Sequence, residues 1–134
     1  MARLAARICA IATCLVLLLA GCGDGNDKKG AEDTVRAFVK AMNTHDADTY
    51  CDKLITDEFR EKTTFATGDK ASESCKREMR AIKDLHIELV RIVSTKVNGD
   101  KADVTAVFKR PGQTVKQRLQ LEKDDGDWKI AGAG

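Results

Sequence analysis

The sequence has no apolar run long enough to span a membrane, and it is poor in histidine. Its main apolar run covers residues 8–20 and is interrupted only by Thr13, whereas a spanning helix needs about 20 apolar residues. Only His45 and His86 accompany the five cysteines, and their spacing does not suit a zinc site. The sequence therefore predicts no spanning helix, no metal centre and no cofactor.

The N-terminus instead has the pattern of an export signal. Arg3 and Arg7 precede the apolar run, which stops at a box of small residues and one thiol, Leu19-Ala20-Gly21-Cys22. This box resembles the bacterial lipoprotein signal. The resemblance implies cleavage after Gly21, a diacylglyceryl group on Cys22, and anchoring at the extracytoplasmic face of the cell membrane, since two acyl chains hold a protein there stably. An ordinary secretory signal that carries a cysteine, or an uncleaved anchor, is the alternative.

The chain that remains after such cleavage, residues 22–134, also has no net excess of charge. Residues 1–21 contain two of the 23 basic residues and none of the 21 acidic ones, so 21 of each remain. Nucleic acids and anionic membrane surfaces attract proteins with a basic excess. The balance argues against both as partners.

The remaining cysteines form a pair. Cys9 and Cys14 lie in the signal peptide and Cys22 is assigned to lipid, which leaves Cys51 and Cys75 in an oxidising compartment. We expect a disulfide between them, contributing on the order of 3 kcal/mol to stability by closing a loop of this size. A metal pair is the alternative.

Composition and hydrophobic period divide the rest of the chain. Residues 22–30 are rich in glycine and charge and predict a flexible tether before one domain, residues 31–134. Residues 31–44 have a helical period, a second helix is expected from Asp46 or Asp48, and Ser72 is expected to cap a third. Residues 63–70 have no helical period and predict a loop or short strand. The apolar faces of these helices are formed by Val35, Phe38, Val39 and Met42; Tyr50, Cys51, Leu54 and Ile55; and Cys75, Met79 and Ile82.

From residue 85 the period changes to two, which is typical of strands. Asn98-Gly99 and Pro111-Gly112 predict turns, as does the run at residues 124–127. A bulge near Val90 is expected to keep Val90 and Ile92 on the inner face. That face comprises Leu85, Ile87, Leu89, Val104, Ala106, Phe108, Val115, Gln117, Leu119, Leu121, Trp128 and Ile130. Three helices before a four-stranded antiparallel sheet make an α+β domain.

This order of elements resembles the nuclear transport factor two-like superfamily across residues 31–131. The features that carry the resemblance are the opening helix, the Asp-rich second helix with Tyr50, and the closing Trp128-Lys129-Ile130 strand. It is similar in particular to small actinobacterial lipoproteins of unknown function that have a paired helix cysteine. The resemblance implies a cone, in which a curved sheet wraps around helices. Because the superfamily includes isomerases, cyclases, dehydratases and proteins without known catalysis, the fold does not determine the activity.

Acid–base catalysis would need an ionisable group inside the cone. Gln117 is the only polar member of the predicted inner face, Tyr50 joins it from the helices, and neither is a general base near neutral pH. We therefore expect no catalytic residue and a pocket formed by Tyr50, Phe108, Gln117 and Trp128. A satisfied amide under a helix end is the preferred interpretation of Gln117, with a ligand contact as the alternative. His45, Asp46 and Asp48 could form a metal site or a His–Asp pair, but they lie at a helix junction where Asp is favoured as a cap. His86 is interpreted as an outward-facing side chain.

The sequence thus predicts a lipid-anchored, non-enzymatic domain outside the cytoplasm. Its partner would be a small apolar ligand in the cone or a protein of the cell envelope. The alternatives are an isomerase- or dehydratase-like enzyme acting on a small hydrophobic substrate, and a purely structural envelope protein.

Overall fold

The computed structural model describes residues 24–134, so the predicted signal peptide and Cys22 lie outside the described residues. Four helical segments come first: α1 (Asp24–Thr44), a π-helix (Thr49–Leu54), α2 (Asp57–Thr64) and α3 (Gly68–Ala81). Four strands follow: β1 (Glu88–Asn98), β2 (Lys101–Arg110), β3 (Gln113–Asp124) and β4 (Asp127–Ala133). The strands form one antiparallel sheet in the order β1-β2-β3-β4. The α+β architecture predicted from the sequence is confirmed.

The strand register places the predicted inner face against the helices. Val104 pairs with Leu119 and Phe108 with Val115, and these alternate positions contribute to a single core with α1. His86 and Glu88 are exposed, as predicted. The register is stable because a slip by one residue would bury the charged alternates of every strand.

β1 contains two irregularities that bend the sheet. Its pairing with β2 passes from Leu89 to Arg91 and from Ile92 to Ser94, which leaves Val90 and Val93 without a partner. The bulge at Val90 was predicted, but the expectation that Val90 returns to the inner face is wrong. Val90 is itself the extra residue, and it is 48% exposed, whereas Ile92 packs against the core. Bulges increase strand twist, which helps this sheet to curve around the helices.

α1 begins earlier than the sequence suggested. Residues 24–30, predicted as part of a flexible tether, form its first turns. Asp27 is ion-paired with Lys123 of β3 at 2.7 Å. At Gly30 a Cβ atom would lie only 2.9 Å from Cδ1 of Trp128, so the missing side chain lets the helix approach the indole. Tertiary contacts with β3 and β4 therefore order a segment that glycine and charge alone would leave flexible.

The segment around residue 68 is also corrected. α2 continues to Thr64 and ends where Phe65 adopts a left-handed conformation, and α3 begins at Gly68 rather than at Ser72. Ser72 lies inside α3 and donates a hydrogen bond to Asp52. A left-handed residue between two helices turns the chain within three residues, which removes the loop or strand predicted for residues 63–70.

Two sets of contacts fix the helices to each other and to the sheet. Cys51 of the π-helix and Cys75 of α3 form the predicted disulfide, with Cα atoms 6.0 Å apart. The Asn43 side chain exchanges two hydrogen bonds with the backbone of Ile87, at 2.7 and 2.8 Å. Within residues 24–134, no helix is both long and apolar enough to cross a membrane.

Candidate functional site: the cone cavity

A cavity of about 190 Å³ lies between the helices and the concave face of the sheet. Seven of its ten lining side chains are apolar, and four of the six aromatic residues of the chain are among the ten. A cavity of about 150 Å³ can hold benzene, so this one has room for a single ring with a small substituent. The lining residues are Phe38, Tyr50, Phe59, Ile87, Phe108, Arg110, Gln117, Leu119, Ile130 and Ala133.

The helices supply the aromatic wall. Phe38 extends from α1 and Tyr50 from the π-helix, and their rings are 5.5 Å apart and tilted by 41°. The π-helix directs Tyr50 to the cavity while the next residue, Cys51, is fully buried in the core and held by the disulfide. Phe59 completes the wall from α2, whose first turn is capped by the Thr56 side chain.

The sheet supplies the opposite wall. Phe108 and Leu119 point inward from β2 and β3 through simple alternation. Ala133 reaches the cavity because β4 has a bulge: Leu121 pairs with Ile130, but Gln120 pairs with Gly132, so Ala131 is passed over. Without that extra residue, Ala133 would lie on the outer face.

Arg110 is a lining residue that the sequence interpretation missed, and it corrects the expectation that Gln117 is the only polar group among the inner strand positions. The inward positions of β2 are Ala102, Val104, Ala106 and Phe108, and Arg110 is the next in this alternation. The predicted inner face ends at Phe108, shortly before the Pro111-Gly112 turn. One further step of the same period would have found it.

The Arg110 guanidinium makes few hydrogen bonds for a charged group that lines a mainly apolar cavity. Its Nη2 atom donates one long hydrogen bond, 3.4 Å, to Oε1 of Gln117. Its Nε atom is buried and has no hydrogen-bond partner among the described residues. None of the ion pairs found in residues 24–134 includes Arg110. The cavity therefore contains a cationic donor whose hydrogen-bonding capacity is largely unused.

Tyr50, Arg110 and Gln117 make the polar part of the cavity a set of hydrogen-bond donors. Burial raises the pKa of the Tyr50 phenol above its ordinary value, so the hydroxyl keeps its proton near neutral pH. An arginine side chain remains charged in proteins. Among the ten lining residues there is no carboxylate or imidazole. This arrangement can bind and orient an acceptor group on a mainly apolar molecule.

Trp128 does not line this cavity, and the sequence interpretation is corrected here. Its side chain is buried beside Gly30 and borders a surface cleft near the start of α1. Lys123 lies over the indole, 5.2 Å from its centroid. Because α1 extends back to Asp24, its first turns pack against the indole at Gly30. The structure thus brings together Tyr50, Phe108 and Gln117 of the predicted pocket and leaves Trp128 apart.

Several larger grooves lie on the described surface and are open to solvent. The two largest measure about 400 and 630 Å³ and have mainly polar walls. Some of the charged residues on these walls are paired, including Asp27 with Lys123 in the first and Lys101 with Glu122, at 3.1 Å, in the second. Neither groove has mainly apolar walls, so the cone cavity is the better candidate site.

His45, Asp46 and Asp48 do not form a site. Asp46 accepts a hydrogen bond from the backbone N–H of Thr49, which lowers the pKa of its carboxyl. Asp48 is ion-paired with Lys76 at 2.9 Å. In residues 24–134 no cluster of three His, Cys, Asp or Glu side chains could hold a metal ion. Asp46 therefore makes the capping contact expected for this junction, whereas Asp48 makes no side-chain cap hydrogen bond and pairs with Lys76 instead.

No protein-family model and no curated protein sequence matches the chain, whereas solved structures do. A nuclear transport factor two-like protein of unknown function from Silicibacter pomeroyi DSS-3 is 16% identical, with a TM-score of 0.54 over 81% of this chain and 93% of that one. A similar protein from Shewanella oneidensis MR-1 is 17% identical, with a TM-score of 0.52 over 80% and 96%. A candidate scytalone dehydratase from Novosphingobium aromaticivorans DSM 12444 is 14% identical, with a TM-score of 0.55 over 81% of each chain. At these identities the similarity shows the fold alone.

Proposed function

Since the chain has the nuclear transport factor two-like fold, we propose that it is a lipid-anchored extracytoplasmic protein that binds a small, mainly apolar molecule in its cone cavity. The observation that carries the proposal is the composition of the cavity wall. Seven apolar side chains surround a space large enough for one ring, and three hydrogen-bond donors lie among them. Ligand sites in proteins usually combine an apolar wall with a few polar groups that orient the ligand.

Two features support the extracytoplasmic location. The Leu19-Ala20-Gly21-Cys22 box resembles a lipoprotein signal, and the disulfide between Cys51 and Cys75 is the kind of bond that persists in oxidising compartments. The disulfide holds the π-helix that carries Tyr50. The same bond would therefore stabilise the domain and position one wall of the cavity.

Binding is favoured over an isomerase- or dehydratase-like reaction. Proton abstraction from a substrate requires a base within hydrogen-bonding distance of it. Tyr50 keeps its proton near neutral pH and Arg110 stays charged, so both can donate hydrogen bonds but neither can accept a proton. The cavity can hold and polarise an acceptor group, which is sufficient for a binding protein.

The proposal is tested by blocking the cavity from its edge. Ala133 lines it from the end of β4, and Ala131 of the same strand lines the outer groove. Ala133→Trp should fill the cavity with an indole, whereas Ala131→Trp adds the same group outside. Small molecules extracted from each purified protein would be identified and quantified by mass spectrometry.

We expect a stoichiometric small molecule with the unmodified protein and with Ala131→Trp, and its loss from Ala133→Trp. Extracts without any stoichiometric molecule, or equal amounts of one from all three proteins, would contradict binding in the cone.

A further inference from the structure

We infer that the ligand is a small monocarboxylate, bound with its carboxylate at Arg110 and Gln117 and its apolar part among the aromatic rings. The inference rests on the proposed ligand-binding function and adds the chemical class of the ligand. It starts from an imbalance of charge. The cavity wall contains one cation, the partly buried Arg110, and no anion, and a charge partly removed from water is costly unless a partner compensates it.

The partner must be an acceptor that can reach more than one nitrogen. Arg110 uses one N–H in a hydrogen bond of 3.4 Å to Gln117, and its buried Nε has no partner among the described residues. An arginine presents parallel N–H groups that match the two oxygens of a carboxylate. A ligand carboxylate could accept hydrogen bonds from the two terminal nitrogens, whereas Nε is enclosed by protein atoms and is not reached from the cavity.

Comparison with Arg60 shows that the lack of partners is particular to Arg110 in the cone cavity. Nε of Arg60 also lacks a partner, but its other nitrogens are bound to the carbonyl of Cys51 at 2.8 Å and to Asp57 at 2.7 Å. Arg60 therefore has the backbone and carboxylate partners expected of a structural arginine. Arg110 has neither, and it faces a cavity.

Gln117 adds a second hydrogen-bond donor for the ligand carboxylate. Its Oε1 accepts from Arg110, which leaves its amide NH₂ without a hydrogen bond in the described part of the chain. This NH₂ could donate to the second oxygen of the carboxylate. A carboxylate bound there would be in contact with two neighbouring strands, because Arg110 is on β2 and Gln117 is on β3.

The apolar part of the ligand must be short. The cavity measures about 190 Å³, and Phe38, Phe59 and Phe108 line it. One aromatic ring or a short branched chain fits, whereas a long fatty acid would project into solvent. On the other side of Arg110 is an open groove that is also lined by Glu88 and Lys109. Those two side chains have opposite charges, so they do not provide a net counter-charge for Arg110.

Three probes of nearly equal shape separate charge from size. Benzoate, benzamide and toluene share a ring and differ in a negative, a neutral polar and an apolar substituent. Each would be titrated into the intact protein in phospholipid nanodiscs while the methyl NMR signals of Ile87, Leu119 and Ile130 are followed. We expect benzoate to bind about 10- to 100-fold more tightly than toluene, with benzamide between them, as hydrogen bonds to charged groups predict.

Arg110→Met removes the charge at nearly constant size, and Lys109→Met removes a charge from the adjacent, exposed position of β2. Arg110→Met should weaken benzoate binding about 10- to 100-fold and leave toluene binding unchanged. Lys109→Met should change benzoate binding by less than about twofold, because exposed charges are screened by salt. Arg110→Lys keeps the charge but lacks the parallel N–H groups of arginine, and it should have an intermediate affinity for benzoate.

The outcomes distinguish the two proposals. Toluene that binds as tightly as benzoate, or benzoate affinity unaffected by Arg110→Met, would refute the carboxylate site and leave the apolar cavity as a ligand site. If no probe shifts the cavity methyls, the proposed function itself fails. The comparison of probes in the unmodified protein decides the question even if Arg110→Met does not fold.

Discussion

At the scale of single residues, Asp52 connects the π-helix to α3 beside the disulfide. Its carboxylate is 2.6 Å from Nζ of Lys76 and accepts a 2.8 Å hydrogen bond from Ser72. Burial alone would raise the pKa of Asp52, but the hydrogen bonds from Lys76 and Ser72 outweigh it and lower the pKa below its ordinary value. The same contact with Asp52 raises the pKa of Lys76. Both pKa shifts mean that the folded state favours the charged forms of Asp52 and Lys76 at neutral pH.

This contact predicts a dependence of stability on pH. A carboxyl with a lowered pKa in the folded state stabilises the protein above its ordinary pKa, and this contribution is lost as the pH falls through the lowered value. Asp52→Asn should therefore reduce the free energy of unfolding at pH 7 by roughly 0.5–1 kcal/mol. The difference from the unmodified protein should shrink as the pH falls below the ordinary carboxyl pKa of about 3.9 and through the lowered pKa of Asp52.

Urea unfolding at a series of pH values would measure the difference in the free energy of unfolding between Asp52→Asn and the unmodified protein. Asp100→Asn is the control, because Asp100 has no ion pair among the described residues and is exposed. A constant difference at every pH would show that the charge of Asp52 is not the cause.

The proposed membrane anchoring would depend on one residue, Cys22. If the box at residues 19–22 is a lipoprotein signal, Cys22→Ser should abolish incorporation of a fatty-acid analogue in cells and block cleavage after Gly21. Cys14→Ser changes a thiol within the apolar run and should leave labelling intact. Label that persists on the Cys22→Ser protein would rule out this residue as the site of lipid attachment.

At the scale of elements, α1 packs on β4 through a glycine. Gly25 and Gly30 both lie in α1, but a Cβ atom at position 25 would have no neighbour within 4 Å, whereas at position 30 it would press on the Trp128 indole. Alanine stabilises an exposed helical position by about 0.5–1 kcal/mol relative to glycine.

The two glycines should therefore respond in opposite ways to the same substitution. Gly25→Ala should raise the free energy of unfolding by up to about 1 kcal/mol, and Gly30→Ala should lower it, because the indole or the helix must move. Thermal or urea unfolding of the two variants measures the difference. An equal increase in the free energy of unfolding from both substitutions would mean that α1 does not pack closely on Trp128.

The elements also show how far sequence patterns reach. The strands, their turns and the inward position of Gln117 were predictable because period-two alternation and turn residues are local signals. The early start of α1 was not, since Gly30 is explained only by the indole of Trp128, nearly one hundred residues later. The inward position of Ala133 depends on a bulge at Ala131, for which the neighbouring Gly132 is only a weak sequence signal. Arg110 was predictable from alternation, but its missing partners become visible only in the folded structure.

At the scale of the whole molecule, the curved sheet, the disulfide-linked helices and the cavity form one arrangement. The bulges in β1 and β4 bend the sheet, and the helices close the cone with three aromatic rings. Val35 and Val104 are completely buried and line neither the cone cavity nor the two grooves described above. The cone cavity, beside Arg110 and Gln117, is therefore separate from this filled part of the core.

The central claim, that this space is a ligand site, is tested most directly by titrating the intact protein with toluene and following its methyl groups by NMR. The account predicts saturable shifts at Ile87, Leu119 and Ile130, no shifts at Val35 and Val104, and loss of the effect in Ala133→Trp but not in Ala131→Trp. Shifts spread evenly over both sets of methyls, or none at all, would contradict it.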